Sequence, residues 1–136
     1  MGFSFNYNMV RINLISPKKL SDQHLVAEYN ETLMLFGYFR KYPKTNETPK
    51  EFCLGKGHMK FFKDKLIYLK KRHELIKKEM KKRDFKTNKT IDLSEFPKKL
   101  QGDWKPKTKD TRLINERLKE KINLKQNYYR YYSEKK

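Results

Sequence analysis

The 136-residue chain has one cysteine, Cys53, which excludes an internal disulfide and points to a reducing compartment. Glycine and proline number five each, too few for a linker-rich or fibrous chain. No apolar run approaches the roughly 20 residues that a membrane span requires. The first fifteen residues lack the apolar run and small-residue cleavage site of a signal peptide. Gly2 follows Met1, but Asn6 stands where a myristoylation signal wants Ser or Thr. Acidic residues are scarce, with 16 Asp and Glu against 34 Lys and Arg, for a formal net charge of +18. Apolar content is also low, at 36%, where ordinary soluble domains carry roughly 45–50%. Leu, Ile, Val and Phe nevertheless make up about a quarter of the chain, above the roughly 20% floor below which chains stay disordered. One compact intracellular domain, of the cytoplasm or nucleoid, is the expectation.

What the chain does have is lysine. A charge of +18 costs self-repulsion, and a polyanionic partner is the usual reason to tolerate it. The 27 lysines outnumber the 7 arginines, and lysine binds phosphate as a point charge without the planar fork that reads a guanine edge. This favours nucleic-acid binding through the backbone, indifferent to sequence and directed at shape or lesions. The alternative is a merely solubilising surface.

Three helices and long loops are expected, with no internal repeat. The first begins with Ser16 as N-cap and Pro17 in the first turn, and Leu20, His24, Ala27, Glu31, Met34 and Tyr38 share one stripe along it. A turn-rich stretch from Lys41 to Lys50, with Pro43, Thr45, Asn46 and Pro49, reads as loop. The second helix follows a Gly55-Lys56-Gly57-His58 loop. Its inward seam is Met59, Phe62, Leu66, Leu69, His73, Ile76 and Met80, and lysines fill its other faces. An irregular segment with Pro97, Gly102 and Pro106 leads to a third helix starting near Thr108 or Asp110. That helix has Ile114, Leu118 and Ile122 on its apolar side and projects Arg117 and Lys121 together. Only Val10 to Ile15 suits a strand.

Glu31 is the first chemically informative residue, because a carboxylate on the stripe is partly desolvated, which penalises its charged form. His24 lies on the same stripe roughly 10 Å away, at about 1.5 Å of rise per residue. A catalytic carboxylate and a buried Glu paired with an Arg from another helix both fit. Tyr128-Tyr129-Arg130-Tyr131-Tyr132 offers flat faces for bases and a cation for phosphate, or simply a cap on the core. Gly55-Lys56-Gly57 lacks the spacing of a P-loop. The three histidines and one cysteine show no metal-ligand spacing, and Cys53 beside Phe52 and Leu54 reads as packing.

Several stretches taken together resemble a known family. They are Met9-Val10-Arg11-Ile12-Asn13-Leu14, SDQHLVAEYNE (Ser21 to Glu31), Phe36-Gly37, GKGHMKFFKDKLIYLKKR (Gly55 to Arg72), Gly102-Asp103-Trp104-Lys105-Pro106, Arg117 to Lys121, and the final YYRYY. The resemblance is to the pyrimidine-dimer DNA glycosylase/AP lyase family of phages, the endonuclease V type, in register from Met9 to about Tyr132. It implies a single all-α domain of three main helices, with the N-terminal segment threaded between the first and third. It also implies no metal or cofactor, and a substrate of double-stranded DNA carrying pyrimidine dimers or abasic sites. A monomer that kinks the duplex and flips out the base opposite the dimer is expected. In this family the nucleophile is the α-amino group of the residue after the initiator Met, here Val10. That amine attacks the damaged nucleotide's anomeric carbon to give a Schiff base, and β-elimination then cuts the strand. Its pKa near 7.7–8.0, against about 10.4 for lysine, leaves roughly a tenth neutral at pH 7, which suits imine formation. The family's catalytic glutamate falls on Glu31, to stabilise the cationic sugar and handle protons. Arg11, Gln23, His24, Arg117 and Lys121 match positions that contact phosphates around the lesion, and Tyr128, Tyr129 and Arg130 match the tail linked to lesion binding.

The chain departs from the family in three places. Asn30 and Met34 occupy DNA-facing positions where the family has arginine, removing two cations beside the reacting sugar. Val10 replaces the usual Thr, which is tolerable because the reacting group is the backbone amine. Residues 1–8, MGFSFNYN, precede Met9, and with translation from Met1 the Val10 nitrogen is an amide. The expected organisation is a leader over 1–8 that is untranslated or disordered and a single domain over 9–136, with Met9 as the start and Val10 exposed by its removal. A genuine leader would instead imply another amine, or a glycosylase with weak lyase action. A non-catalytic basic helical module that coats nucleic acid is the alternative from another class.

Overall fold

The structure, a computed structural model, describes residues 12–44, 48–54, 56–132 and 134–135. Val10, Arg11 and the expected leader over 1–8 lie outside the described residues, as do Thr45, Asn46 and Gly55.

Helix α1 spans Asp22–Lys41 and starts later than expected. Pro17–Lys19 form a single 3-10 turn that the Ser16 side chain does not cap, and Leu20 leaves it in extended conformation. Ser21 is the working N-cap, its hydroxyl accepting the His24 N–H at 3.1 Å. Asp22 follows in the first turn, where the helix dipole favours an acid.

The buried face of α1 carries Leu25, Glu28, Tyr29, Thr32, Leu35, Phe36 and Phe39. It is therefore not the expected stripe, which held a histidine and a glutamate. The neighbouring face offers two phenylalanines and two leucines, and burying the larger apolar area wins. The expected stripe borders this core, with His24, Ala27, Glu31 and Tyr38 half-buried and Met34 exposed.

The seam from Met59 to Met80 is buried at every expected position, but the helix beneath it is interrupted. Helix α2, Lys56–Phe61, already includes Gly57 and His58 and runs into a 3-10 turn at Phe62–Asp64. Helix α3, Leu66–Lys82, begins after Lys65 leaves helical geometry at φ −127°, ψ 45°. At this break Gly102 enters. Its N–H donates to the Asp64 carbonyl at 3.1 Å, and its own carbonyl accepts the Ile67 N–H at 3.0 Å, satisfying an otherwise orphaned donor of α3. A Cβ here would lie 2.5 Å from the Asp64 oxygen. Gly102→Ala should therefore cost about 1–3 kcal/mol, read as a lower midpoint in urea unfolding with an unchanged slope.

Helix α4, Thr108–Leu124, starts at one of the two expected residues. The Asp110 carboxylate accepts the Lys107 N–H at 2.9 Å, closing its first turn. Ile114 and Leu118 are buried and Ile122 half-buried. Phe52, Phe61, Phe62, Tyr68 and Trp104 pack mostly edge-to-face, joining the loop before α2 to α3 and the segment entering α4. The described architecture is all-α. Its one ladder is a short antiparallel pair, β1 Arg130–Tyr131 with β2 Glu134–Lys135. Ile12–Ile15 does not form the expected strand. It bends tightly at Leu14, φ 55°, with Ile15 N–H donating to the Asn13 carbonyl. None of the described helices is long and apolar enough to cross a membrane.

Candidate active site

Ile12 and Asn13 are buried without a sheet, so their backbone donors need side-chain partners. Glu28 supplies one. It is completely buried on α1, and its Oε1 accepts both the Asn13 N–H at 3.1 Å and the Asn13 side-chain amide at 3.0 Å. Arg72 from α3 grips the same carboxylate bidentately, Nε to Oε2 at 2.6 Å and Nη2 to Oε1 at 3.0 Å. Its Nη1 donates to the Ile15 carbonyl. The buried Glu–Arg pair considered for Glu31 is therefore realised one turn earlier, at Glu28. The side chains that hold Ile12–Ile15 by hydrogen bonds belong to α1, α2 and α3.

Glu31 is left on the half-exposed border of α1, one turn beyond the carboxylate that holds Asn13. Asn30 beside it is exposed, as is Met34 at 37%, so both face outward.

The tail folds back onto the N-terminal end of α1. Asn127 takes a left-handed turn at φ 68°, a conformation asparagine tolerates, and reverses the chain after α4. Gln23 uses both ends of its amide on the tail backbone, donating to the Tyr128 carbonyl at 2.8 Å and accepting the Arg130 N–H at 2.9 Å. The Tyr129 ring stacks on His24 with centroids 4.6 Å apart. Tyr128 stands edge-on to Tyr129, half its surface exposed, with the Lys125 ammonium over its ring. Burial, and secondarily the Lys121 charge, push the His24 pKa below its ordinary value. Lys121 and Arg130 are exposed, and Arg117 is half-buried, its Nε without a hydrogen-bond partner. Gln23, His24, Lys121, Tyr128, Tyr129 and Arg130 thus form one basic, aromatic rim at the N-terminal end of α1, about two turns before Glu31.

Arg83 and Asp22 hold the far end of the tail, although neither was a candidate from the sequence. Arg83 is buried, paired with Glu79 at 2.9 Å and Asp22 at 3.0 Å, and also binds the Leu20, Pro17 and Lys18 carbonyls. Tyr132 lies over its guanidinium and donates its hydroxyl proton to Glu79, and its backbone N–H donates to Asp22. The far end of the tail is docked this way. The usable signal was a lone arginine closing a lysine-rich helix, since lysine cannot fork.

His73 is fully buried and stacked on Tyr29, with neither ring nitrogen in hydrogen-bonding geometry. Burial first, then Lys77, push its pKa down. A histidine whose folded pKa lies below its unfolded value, near 6.5, holds fewer protons folded than unfolded. Stability therefore falls as pH drops through that value. Urea unfolding should show a loss between pH 6.5 and 5, and His73→Phe should lose less over that interval. An equal loss would contradict the assignment. Among the described residues no three His, Cys, Asp or Glu side chains gather as a metal site. Cys53 is half-buried, its thiol pKa raised by burial.

A sequence model of the family described as pyrimidine dimer DNA glycosylase matches residues 9–93, more than half of the chain. The match takes in the anchored N-terminal segment, α1, α2 and α3, and stops before α4 and the tail. A glycosylase of this kind is a DNA-repair enzyme acting on damaged DNA. By this match the chain belongs to the pyrimidine dimer DNA glycosylase family.

Proposed function

We propose that the protein removes the damaged base and then cuts the strand as an AP lyase, through a Schiff base on the α-amine of Val10. The observation that carries this is the hydrogen bond from Asn13 to Glu28, one turn from Glu31. Glu28 and Glu31 are separated by roughly 4.5 Å along the helix axis. Val10 precedes Asn13 by three residues, a span of at most about 11 Å. One deoxyribose can therefore meet both an amine at Val10 and the Glu31 carboxylate.

In this mechanism the neutral amine attacks the anomeric carbon and displaces the base, and Glu31 stabilises the cationic sugar and moves protons during elimination. Arg11, His24, Arg117 and Lys121 contact phosphates, and Gln23 acts by holding the tail. Asn30 contributes a neutral polar contact to DNA, and Met34 an apolar surface. Tyr128 and Tyr129 offer stacking faces, and Arg130 a phosphate contact. The substrate is duplex DNA with pyrimidine dimers or abasic sites, bound by a monomer of the 9–136 domain from which Met9 has been removed.

The test compares ultraviolet-irradiated with unirradiated supercoiled plasmid. Nicking only of the irradiated DNA, with a borohydride-stabilised protein–DNA adduct on abasic duplex, is expected. Equal affinity for both plasmids without nicking would instead fit a non-catalytic coat of nucleic acid. Alkali-labile abasic sites formed without nicking would fit a glycosylase lacking lyase action. Lys121→Ala should lower the slope of log affinity against log salt by about 1 and leave the preference for damaged DNA unchanged. Binding measured from 50 to 200 mM salt checks it.

A further inference from the structure

His58 is fully buried on α2, its ring edge-on to Phe52 at 5.3 Å and Phe62 at 5.2 Å. An apolar side chain would fill such a site without desolvating two ring nitrogens. Both nitrogens of His58 meet backbone. Nε2 accepts the Ile12 N–H at 2.9 Å, and Nδ1 lies 3.0 Å from the Cys53 carbonyl oxygen. A donor on one side and an acceptor on the other select the neutral tautomer with its proton on Nδ1. The ring is a bracket between the loop ahead of α2 and the N-terminal segment.

We propose that His58 is a positioning residue for the reactive amine, fixing the direction in which the chain leaves the core toward Val10. This rests on the reading that Val10 supplies the nucleophile. Glu28 holds Asn13 and sets the height of the segment along α1, but one anchor leaves a pivot. The bond at Ile12 removes the pivot and brings the nearest anchor from three residues after Val10 to two. A third residue between anchor and amine allows a displacement larger than the roughly 1 Å that can cost a factor of 10² in rate. His58 touches neither substrate nor reacting atoms in this scheme.

Two amide substitutions separate the bracket from mere packing. In His58→Gln the side-chain carbonyl reaches the place of Nε2 and can accept the Ile12 N–H. In His58→Asn the shorter amide ends near the place of Nδ1, where its NH2 can donate to the Cys53 carbonyl and no acceptor reaches the Ile12 N–H. The readouts are the single-turnover rate of borohydride-trapped adduct on abasic duplex at saturating protein, the Kd for that duplex, and thermal unfolding, on protein whose N-terminus has been read by intact mass. H58Q should trap within about threefold of wild type and H58N about 30- to 100-fold more slowly, with both Kd values within about threefold of wild type. If H58N does not unfold cooperatively, the near-isosteric His58→Met replaces it with the same expected slowing. Equal rates in all three proteins, H58Q as slow as H58N, or rate and affinity falling in parallel would overturn the bracket while leaving the amine mechanism standing. Absence of any adduct with the wild-type protein would overturn both.

Discussion

Glu31→Gln is expected to lower cleavage of dimer-containing duplex by about 10³-fold or more while leaving affinity for that duplex within a few-fold of wild type. The amide keeps the size and one acceptor oxygen of the side chain but carries no negative charge and accepts no proton. Loss of a positioned general acid–base alone costs about 10²–10⁴, and loss of charge complementary to a cationic sugar adds to this. The other carboxylate on this part of α1 cannot substitute. Glu28 is fully buried, and its oxygens are committed to Arg72 and Asn13. Single-turnover nicking measured beside equilibrium binding checks the prediction, and undiminished nicking by E31Q would remove Glu31 from the chemistry.

Arg72→Met should produce the largest stability loss of any single change considered. It strands the Glu28 carboxylate in the core with only the Asn13 donors, and breaking a buried pair from one side costs about 3–5 kcal/mol. For a domain of this size that corresponds to a fall in Tm of roughly 10 °C or more. Cleavage should fall further than the folded fraction does, because Arg72 also holds the Ile15 carbonyl and supports the carboxylate that anchors Asn13. The double variant Glu28→Leu/Arg72→Met should recover part of the stability, since an apolar pair avoids the desolvation penalty. It should recover little activity, because Asn13 stays unanchored. Thermal unfolding and nicking of the four proteins in the cycle separate the two effects, and parallel recovery would mean that the pair serves stability alone.

The seam of α2 and α3 was legible because seven apolar or aromatic residues recur at spacings of three and four, and tertiary packing kept every one inside. The break at Lys65 was not, because its cause is Gly102, more than thirty residues away, and a backbone cap from a distant segment leaves no local trace. On α1 the period was right and the phase wrong. Two overlapping stripes satisfied the same spacing, and the choice between them turned on the area of Phe36 and Phe39 rather than on periodicity. That phase error exchanged the roles of two glutamates in packing terms. Glu28 is the core carboxylate and Glu31 the bordering one; the stripe left Glu31 open between catalysis and a buried ion pair, and the resemblance implied catalysis. The tail was legible as aromatic and basic, but not its mooring. Asp22, Gln23, Glu79 and Arg83 lie in two helices, and nothing in their own neighbourhoods marks them as partners of Tyr128 to Tyr132. Arg72 and Arg83 were readable in one respect. They are the arginines among the lysines of α3 and its C-terminal cap, and both are buried, as expected where a bidentate grip is needed and a hydrated ammonium would fail.

The central claim is that the nitrogen reacting with deoxyribose belongs to the backbone at Val10 and not to one of the 27 lysines. Peptide mapping by mass spectrometry of the borohydride-reduced complex with abasic duplex decides it directly. The sugar remnant is expected on a peptide beginning at Val10, attached through its α-nitrogen. A remnant on a lysine side chain, or an unmodified Val10 amide preceded by residues 1–9 in an adduct-forming protein, would contradict it.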